Sequence, residues 1–239
     1  MRAETGLDLN STLEGDVWQF LDDIAVDLVR EYWNGTLDDG SPTFTGARFD
    51  MFAGGGDRPG AANRFDESDL VAVSMLSVKV PGRAAIELME SQAWLLNQAL
   101  AQIPLSPALE DGDVVLIDQG STASALWHLI ERIDGIGWVT AGKLLARKRP
   151  KLIPVYDNVV KAALQPNSQA FWVPLWNELR SEHPESGISV ADRLREIRLH
   201  AGGAALDRPL IRVFDVAVWM RNRNESNARL RFRPRLISP

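Results

Sequence analysis

Apolar residues along this chain recur mostly at steps of three and four, the spacing of one helix face. Val17, Leu21, Ile24, Leu28 and Tyr32 form the first such series and predict an amphipathic helix. Residues 34–65 break the rhythm. GTLDDGSP and AGGGDRPGAAN supply turn formers there, while Phe44, Phe49, Phe52 and Phe65 predict a loop that packs on the body. Asp66 stands where an N-cap belongs, before LVAVSMLSV, and Pro81 opens another helix that runs to about Leu100. VVLID (114–118) is the one strand-like run. Ser121 or Thr122 then caps a helix that sets Leu126, Leu129, Ile130 and Ile133 on one face. Further helices are predicted near 168–182, 188–200 and 207–222. The last contains PLIRVFDVAVWM, apolar nearly all round and therefore a buried helix. The pattern predicts an all-α fold and a single compact helical unit over 1–239.

Composition narrows the class. Hydrophobic residues make up 45% of the 239 and charged residues 24%, as in globular proteins. No apolar run approaches the ~20 residues needed to cross a bilayer. The opening MRAETGLDLNSTLEGD is polar and acidic, which predicts no secretory signal and a cytoplasmic location. Without cysteine the chain has no thiolate ligands, and His128, His183 and His200 are scattered. A side-chain metal site and an iron–sulfur cluster are therefore unexpected, and no haem, nucleotide cofactor or membrane partner is expected either.

A net charge of −6 argues at first against a nucleic-acid partner, but the charge is unevenly spread. Residues 1–70 hold 15 acids and 5 bases, whereas KLLARKRPK (143–151) holds five bases and no acid. Residues 220–239 add six arginines against one glutamate. Phosphate attraction is local under physiological screening, so such islands can form a footprint. The alternative for KLLARKRPK is a solvated helix end, where cations are favoured by the dipole.

The chemistry concentrates in two stretches. Residues 126–148 predict two helices joined by Gly135-Ile136-Gly137, with Ile136 plugging the gap between them. Glycine at such a turn lets backbone approach a phosphate closely, and the second helix aims its free N–H groups outward. Ile153-Pro154-Val155-Tyr156-Asp157 follows at a short distance. Together, Ile133-Asp134-Gly135-Ile136-Gly137-Trp138-Val139-Thr140-Ala141 and the segment ending in Asp157 resemble the helix-hairpin-helix superfamily of DNA base-excision glycosylases. Leu70 to Lys79 is similar to that family's helix ending Leu-Leu-Ser-x-Gln. The resemblance covers about residues 66–165, with 1–65 and 166–239 as helical flanks that form or complete a second lobe.

The resemblance implies a two-lobed helical fold, double-stranded DNA as partner and Asp157 as the catalytic carboxylate. It implies phosphate contacts from Gly135, Ile136, Gly137, Val139, Thr140, Lys143, Arg147, Lys148, Arg149 and Lys151, and a monovalent Na or K ion at the hairpin carbonyls. Lys79, Trp138, Tyr156 and Asn158 are candidates for the base pocket or for intercalation. Val139 stands where bifunctional members carry a lysine nucleophile, so the implied reaction is base removal without strand cleavage. Lys79 replaces the family's gap-filling glutamine, and Tyr156 and Asn158 replace the usual neighbours of the aspartate.

Each residue also has a structural reading. Asp157 precedes NVVKAAL and is an N-cap candidate worth about 1 kcal/mol. Trp172 and Trp176 share a helical face as core residues. Asp215, in the most apolar helix, is expected to be buried and to need a partner, either a salt bridge, with an arginine as one candidate, or a backbone cap, with a pocket role as the alternative. Two functional alternatives stand beside the glycosylase: a non-catalytic hairpin protein that binds DNA, and a helical protein-interaction module.

Overall fold

The computed structural model describes residues 12–166 and 171–231, with side chains through Arg223 in the last helix. The chain is all-α: among the described residues there are helices, short 3-10 turns and three isolated bridges, and no sheet. The main helices are α1 (Ile24–Asn34), α2 (Glu67–Ser74), α3 (Gly82–Ile86), α4 (Ala93–Gln102) and α5 (Thr122–Glu131). They continue as α6 (Trp138–Lys148), α7 (Asn158–Leu164), α8 (Trp172–Arg180), α9 (Val190–Ala201) and α10 (Leu210–Arg231). α10 packs on α1, α7 and α9, while α6 packs on α2 and α5, and α5 on α4. One continuous hydrophobic core joins these helices.

Local chemistry explains where elements begin. The Asp66 side chain accepts from Ser68 N–H while Asp69 reaches back to Asp66 N–H, a reciprocal cap on α2. Three expectations are corrected. The first helical series splits, because Asp16 caps a 3-10 turn at Val17–Phe20 and Leu21 leaves helical geometry before α1 begins. α1 then buries Ala25, Val29, Tyr32 and Trp33 and turns Ile24 outward. The helix expected from Pro81 to Leu100 is interrupted by a π-turn at Glu87–Ser91. VVLID forms a 3-10 turn, Val114–Leu116, because the Asp113 carboxylate caps Val115 N–H.

The largest departure concerns Arg147, Lys148 and Arg149, which are neither surface phosphate contacts nor a solvated helix end. All three are buried, and their donors hold the 49–63 loop against α6. Arg147 donates to the carbonyls of Phe49, Asp50 and Phe52. Lys148 donates to Gly56 at 3.2 Å and Ala61 at 3.1 Å. Arg149 donates to Ala62, Ile103 and Leu100 carbonyls and to the Asn63 side chain. Asp69, also fully buried, neutralises the pair on α6, with Oδ2 2.5 Å from Lys148 Nζ and Oδ1 3.4 Å from Arg147 Nε. Burial raises the Asp69 pKa, opposed by Lys148, and burial lowers the Lys148 pKa, opposed by Asp69. A loop of some thirty residues carries many backbone carbonyls that need donors, and these three cations supply them. At Gly56 a Cβ would fall 2.2 Å from the Arg147 carbonyl oxygen, so the loop lies directly on α6.

The loop's aromatics pack as expected. Phe49 and Phe65 are buried, and Phe44 stacks on Tyr32 at 5.4 Å. Trp172 and Trp176 lie against the core, and Trp176 Nε1 donates to Gly112 O at 2.9 Å. The arginine side chains of the tail RLRFRPRLISP lie outside the described residues.

Candidate functional site

The site is built on the turn between α5 and α6. Ile133 and Ile136 are buried between the two helices, and Ile136 N–H donates to Ile133 O at 2.9 Å. Gly135 adopts φ +84°, and a Cβ there would meet Pro81 Cγ at 2.7 Å, so both conformation and space require glycine. Gly137 is the N-cap of α6, no side chain caps that end, and a Cβ there would meet nothing. The first N–H groups of α6 thus open on the exposed side of Gly137.

Asp157 caps the next helix, α7. Its Oδ1 accepts from Val159 N–H at 3.0 Å and Val160 N–H at 3.3 Å, and its Oδ2 lies 3.3 Å from Lys143 Nζ. Lys143, one turn into α6 from the hairpin, also donates to Leu76 O at 2.9 Å. This ammonium therefore ties α6, α7 and the end of α2 together. It is buried, which corrects its expected role as a phosphate contact. Ser77, next to the accepting carbonyl, is held at φ +62°, a region that non-glycine residues rarely occupy.

The remaining candidates divide by exposure. Gly135, Gly137, Lys79, Lys151 and Asn158 are exposed, and Trp138 and Val139 are half-buried. Thr140 and Ile136 are buried. Tyr156 is a core residue rather than a free pocket wall. It stacks on Phe171 at 4.0 Å and 7°, and burial pushes its phenol above the usual range. The Trp138 ring lies 5.3 Å from the Tyr156 ring, which links the hairpin to the Asp157 segment.

Two exposed cations here escaped the sequence reading. Lys161 on α7 sets its ammonium 5.3 Å over the Trp138 ring, and Arg132 lies in the hairpin turn itself. Lys161 was findable as the residue one turn beyond Asp157, and Arg132 as the base beside Gly135. The carbonyls of Ile133, Gly137 and Trp138 already accept hydrogen bonds, from Ile136, Ala141 and Trp127 Nε1. No cluster of three His, Cys, Asp or Glu suited to a metal occurs among the described residues.

Behind the site, α10 carries a second polar group into the interior. Asp215 is paired with Arg212, as expected, with Arg212 Nη1 2.7 Å from Asp215 Oδ1. Arg212 Nε also reaches Asp50 at 2.9 Å, and Arg208 Nε lies 4.0 Å from Asp50. Burial raises the Asp215 carboxyl to about 8; Arg212 opposes this, and the charges of Asp50 and Asp157 add to it. Burial likewise raises the nearby Tyr32 phenol to about 12.

Among the described residues no helix is long and apolar enough to cross a membrane. Comparison with curated proteins and with solved structures found no match. A family model described as a family of unknown function (DUF6308) matches residues 25–222, from α1 through most of α10, and the chain belongs to that family.

Proposed function

We propose that this chain binds double-stranded DNA through the α5–α6 hairpin and removes a base with the help of Asp157, as a monofunctional glycosylase. The observation that carries the reading is the junction itself. The uncapped, open helix start at Gly137 belongs to α6, the same helix to which Lys143 anchors the Asp157 carboxylate. The amides following Gly137 would grip a phosphate, with Lys79, Arg132, Lys151 and Lys161 adding attraction that is independent of sequence. The target nucleotide would be flipped toward Asp157. Asp157 would stabilise the cationic sugar as the C1′–N bond breaks and orient the water that adds to it. Val139 offers no amine, and the Lys143 ammonium is committed to Leu76 O and Asp157, so no strand cleavage is expected. Any cation at the turn would only help hold the phosphate.

A second reading has its own support. Both Asp157 oxygens are already engaged, by the α7 cap and by Lys143, which suits a structural carboxylate in a non-catalytic DNA-binding hairpin protein. The two readings separate on duplexes carrying varied damaged bases, tested with wild type and Asp157→Asn. The glycosylase reading expects abasic product from wild type only. Binding by both proteins, with no abasic product from either, would establish the second reading.

A further inference from the structure

A cleft of about 450 Å³ that shares no residue with the hairpin lies between the 3-10 turn Val17–Phe20, the loop before α9 and the first turns of α9. Roughly 300–1,000 Å³ is the size of a small-molecule site. Its walls are fixed by hydrogen bonds. Arg193 Nε donates to Leu21 O at 2.8 Å, which ties α9 to the end of the 3-10 turn. The loop is closed by His183 N–H on Ile188 O and by Gly187 N–H on His183 O, each at 2.9 Å. His183 Nδ1 accepts from the N–H groups of Glu185 and Ser186 at 3.3 and 3.4 Å, so this imidazole carries its proton on Nε2. The Trp18 and His183 rings meet edge to face at 4.9 Å and form an aromatic wall. Leu21 and Ile188 add apolar surface.

The ionic lining selects the sign of a ligand. Arg193 is the basic residue of the lining, and Glu196 at 3.0 Å and Asp23 at 3.2 Å already hold its guanidinium. Asp22 and Glu185 also line the cleft; Asp22 is paired with Arg221, and Glu185 is exposed and takes part in none of these pairs. An anion would meet a surplus of carboxylates here, whereas a cation finds carboxylate and aromatic surface side by side. We infer that this cleft binds an organic cation, an alkylammonium or alkylguanidinium group, with its charged head against Trp18 and Glu185 and its carbon chain on Leu21 and Ile188. The inference does not depend on the reading of Asp157. A free amine or guanidine carries such a head group, and so does a lysine or arginine side chain of a peptide.

The test is an NMR titration of the nitrogen-labelled full chain with n-butylammonium, n-butylguanidinium, butyrate and a blocked peptide whose one charge is an arginine. Wild type, Trp18→Leu and Glu185→Gln are compared. Both alkyl cations should shift the Trp18 indole N–H and the amides of residues 183–188 to saturation, and butyrate should not. Trp18→Leu and Glu185→Gln should each weaken binding by about 2–5-fold, the scale of one cation–π contact or one exposed ion pair. Glu185→Gln changes one exposed side chain, so it decides the matter if Trp18→Leu fails to fold. A peptide bound about tenfold more tightly than n-butylguanidinium would assign the cleft to a partner's arginine, and equal binding to a free small cation. Absence of shifts in this loop with both cations, equal shifts with butyrate, or affinity unchanged by the substitutions overturns the inference.

Discussion

The burial of Lys148 makes a quantitative prediction that separates structure from DNA contact. Lys148→Met removes an ammonium that lies 2.5 Å from Asp69 and donates to two loop carbonyls. Asp69 would then be left in the interior with the Arg147 guanidinium at 3.4 Å and one backbone N–H at 2.9 Å. Breaking one side of a buried ion pair costs about 3–5 kcal/mol, and each orphaned carbonyl about 1 kcal/mol or more. Arg147 remains as partial compensation, so the net loss is set at about 3–5 kcal/mol. In urea unfolding with a slope of about 3 kcal/mol/M, the midpoint falls by roughly 1–1.7 M. Lys148→Met combined with Asp69→Asn should cost less than the two single losses summed, because the second change removes the stranded charge. The salt dependence of duplex binding should be unchanged, since Lys148 reaches no phosphate. A variant of normal stability whose log–log salt slope falls by about one would refute this and restore the phosphate contact.

Other outcomes follow from the same geometry. Gly135→Ala should cost about 1–2 kcal/mol in chemical denaturation, from its positive φ and the Pro81 contact, whereas Gly137→Ala should stay within about 0.5 kcal/mol. Asp157→Ala should lose about 1 kcal/mol of capping plus the cost of a stranded Lys143, and Asp157→Asn should recover the capping part; thermal melts of the two compare them directly. For Asp215 the folded state binds the extra proton between the unfolded carboxyl range and about 8, so its contribution to stability falls as pH rises through that window. Asp215→Asn should therefore show a smaller decline in melting temperature from pH 5 to 8 than wild type, and equal declines would contradict the assignment. Lys161→Ala and Lys151→Ala should each reduce the salt slope of duplex binding with little change in stability, which a binding series at several salt concentrations checks.

What the sequence disclosed was local. The Asp66 cap is written in the spacing of Asp66 and Asp69, the hairpin in Gly135 and Gly137, and the α7 cap in Asp157 before an apolar run. Asp215 beside Arg212 was foreseeable because an ion in an apolar helix needs a partner, and one turn away is the nearest place to find it. The fate of Arg147, Lys148 and Arg149 was not legible, since their partners lie up to 98 residues away in a loop whose path no periodicity encodes. A cluster of cations in sequence reads as a surface because solvation is the default, and only the distant Asp69 and the loop carbonyls reverse it. Tyr156 was misjudged for the same reason, its ring being claimed by Phe171. VVLID failed as a strand because β-branched residues need a neighbouring strand, and among the described residues none pairs with it.

The central claim is that Asp157, tied through Lys143 to the second helix of the hairpin, removes a base from duplex DNA. Its most direct measurement is alkali-revealed abasic-site formation across duplexes with varied damaged bases, comparing wild type with Asp157→Asn. The account predicts abasic product from at least one duplex with wild type and none with the variant. Absence of product from every duplex with wild type, or equal product from the variant, would contradict it.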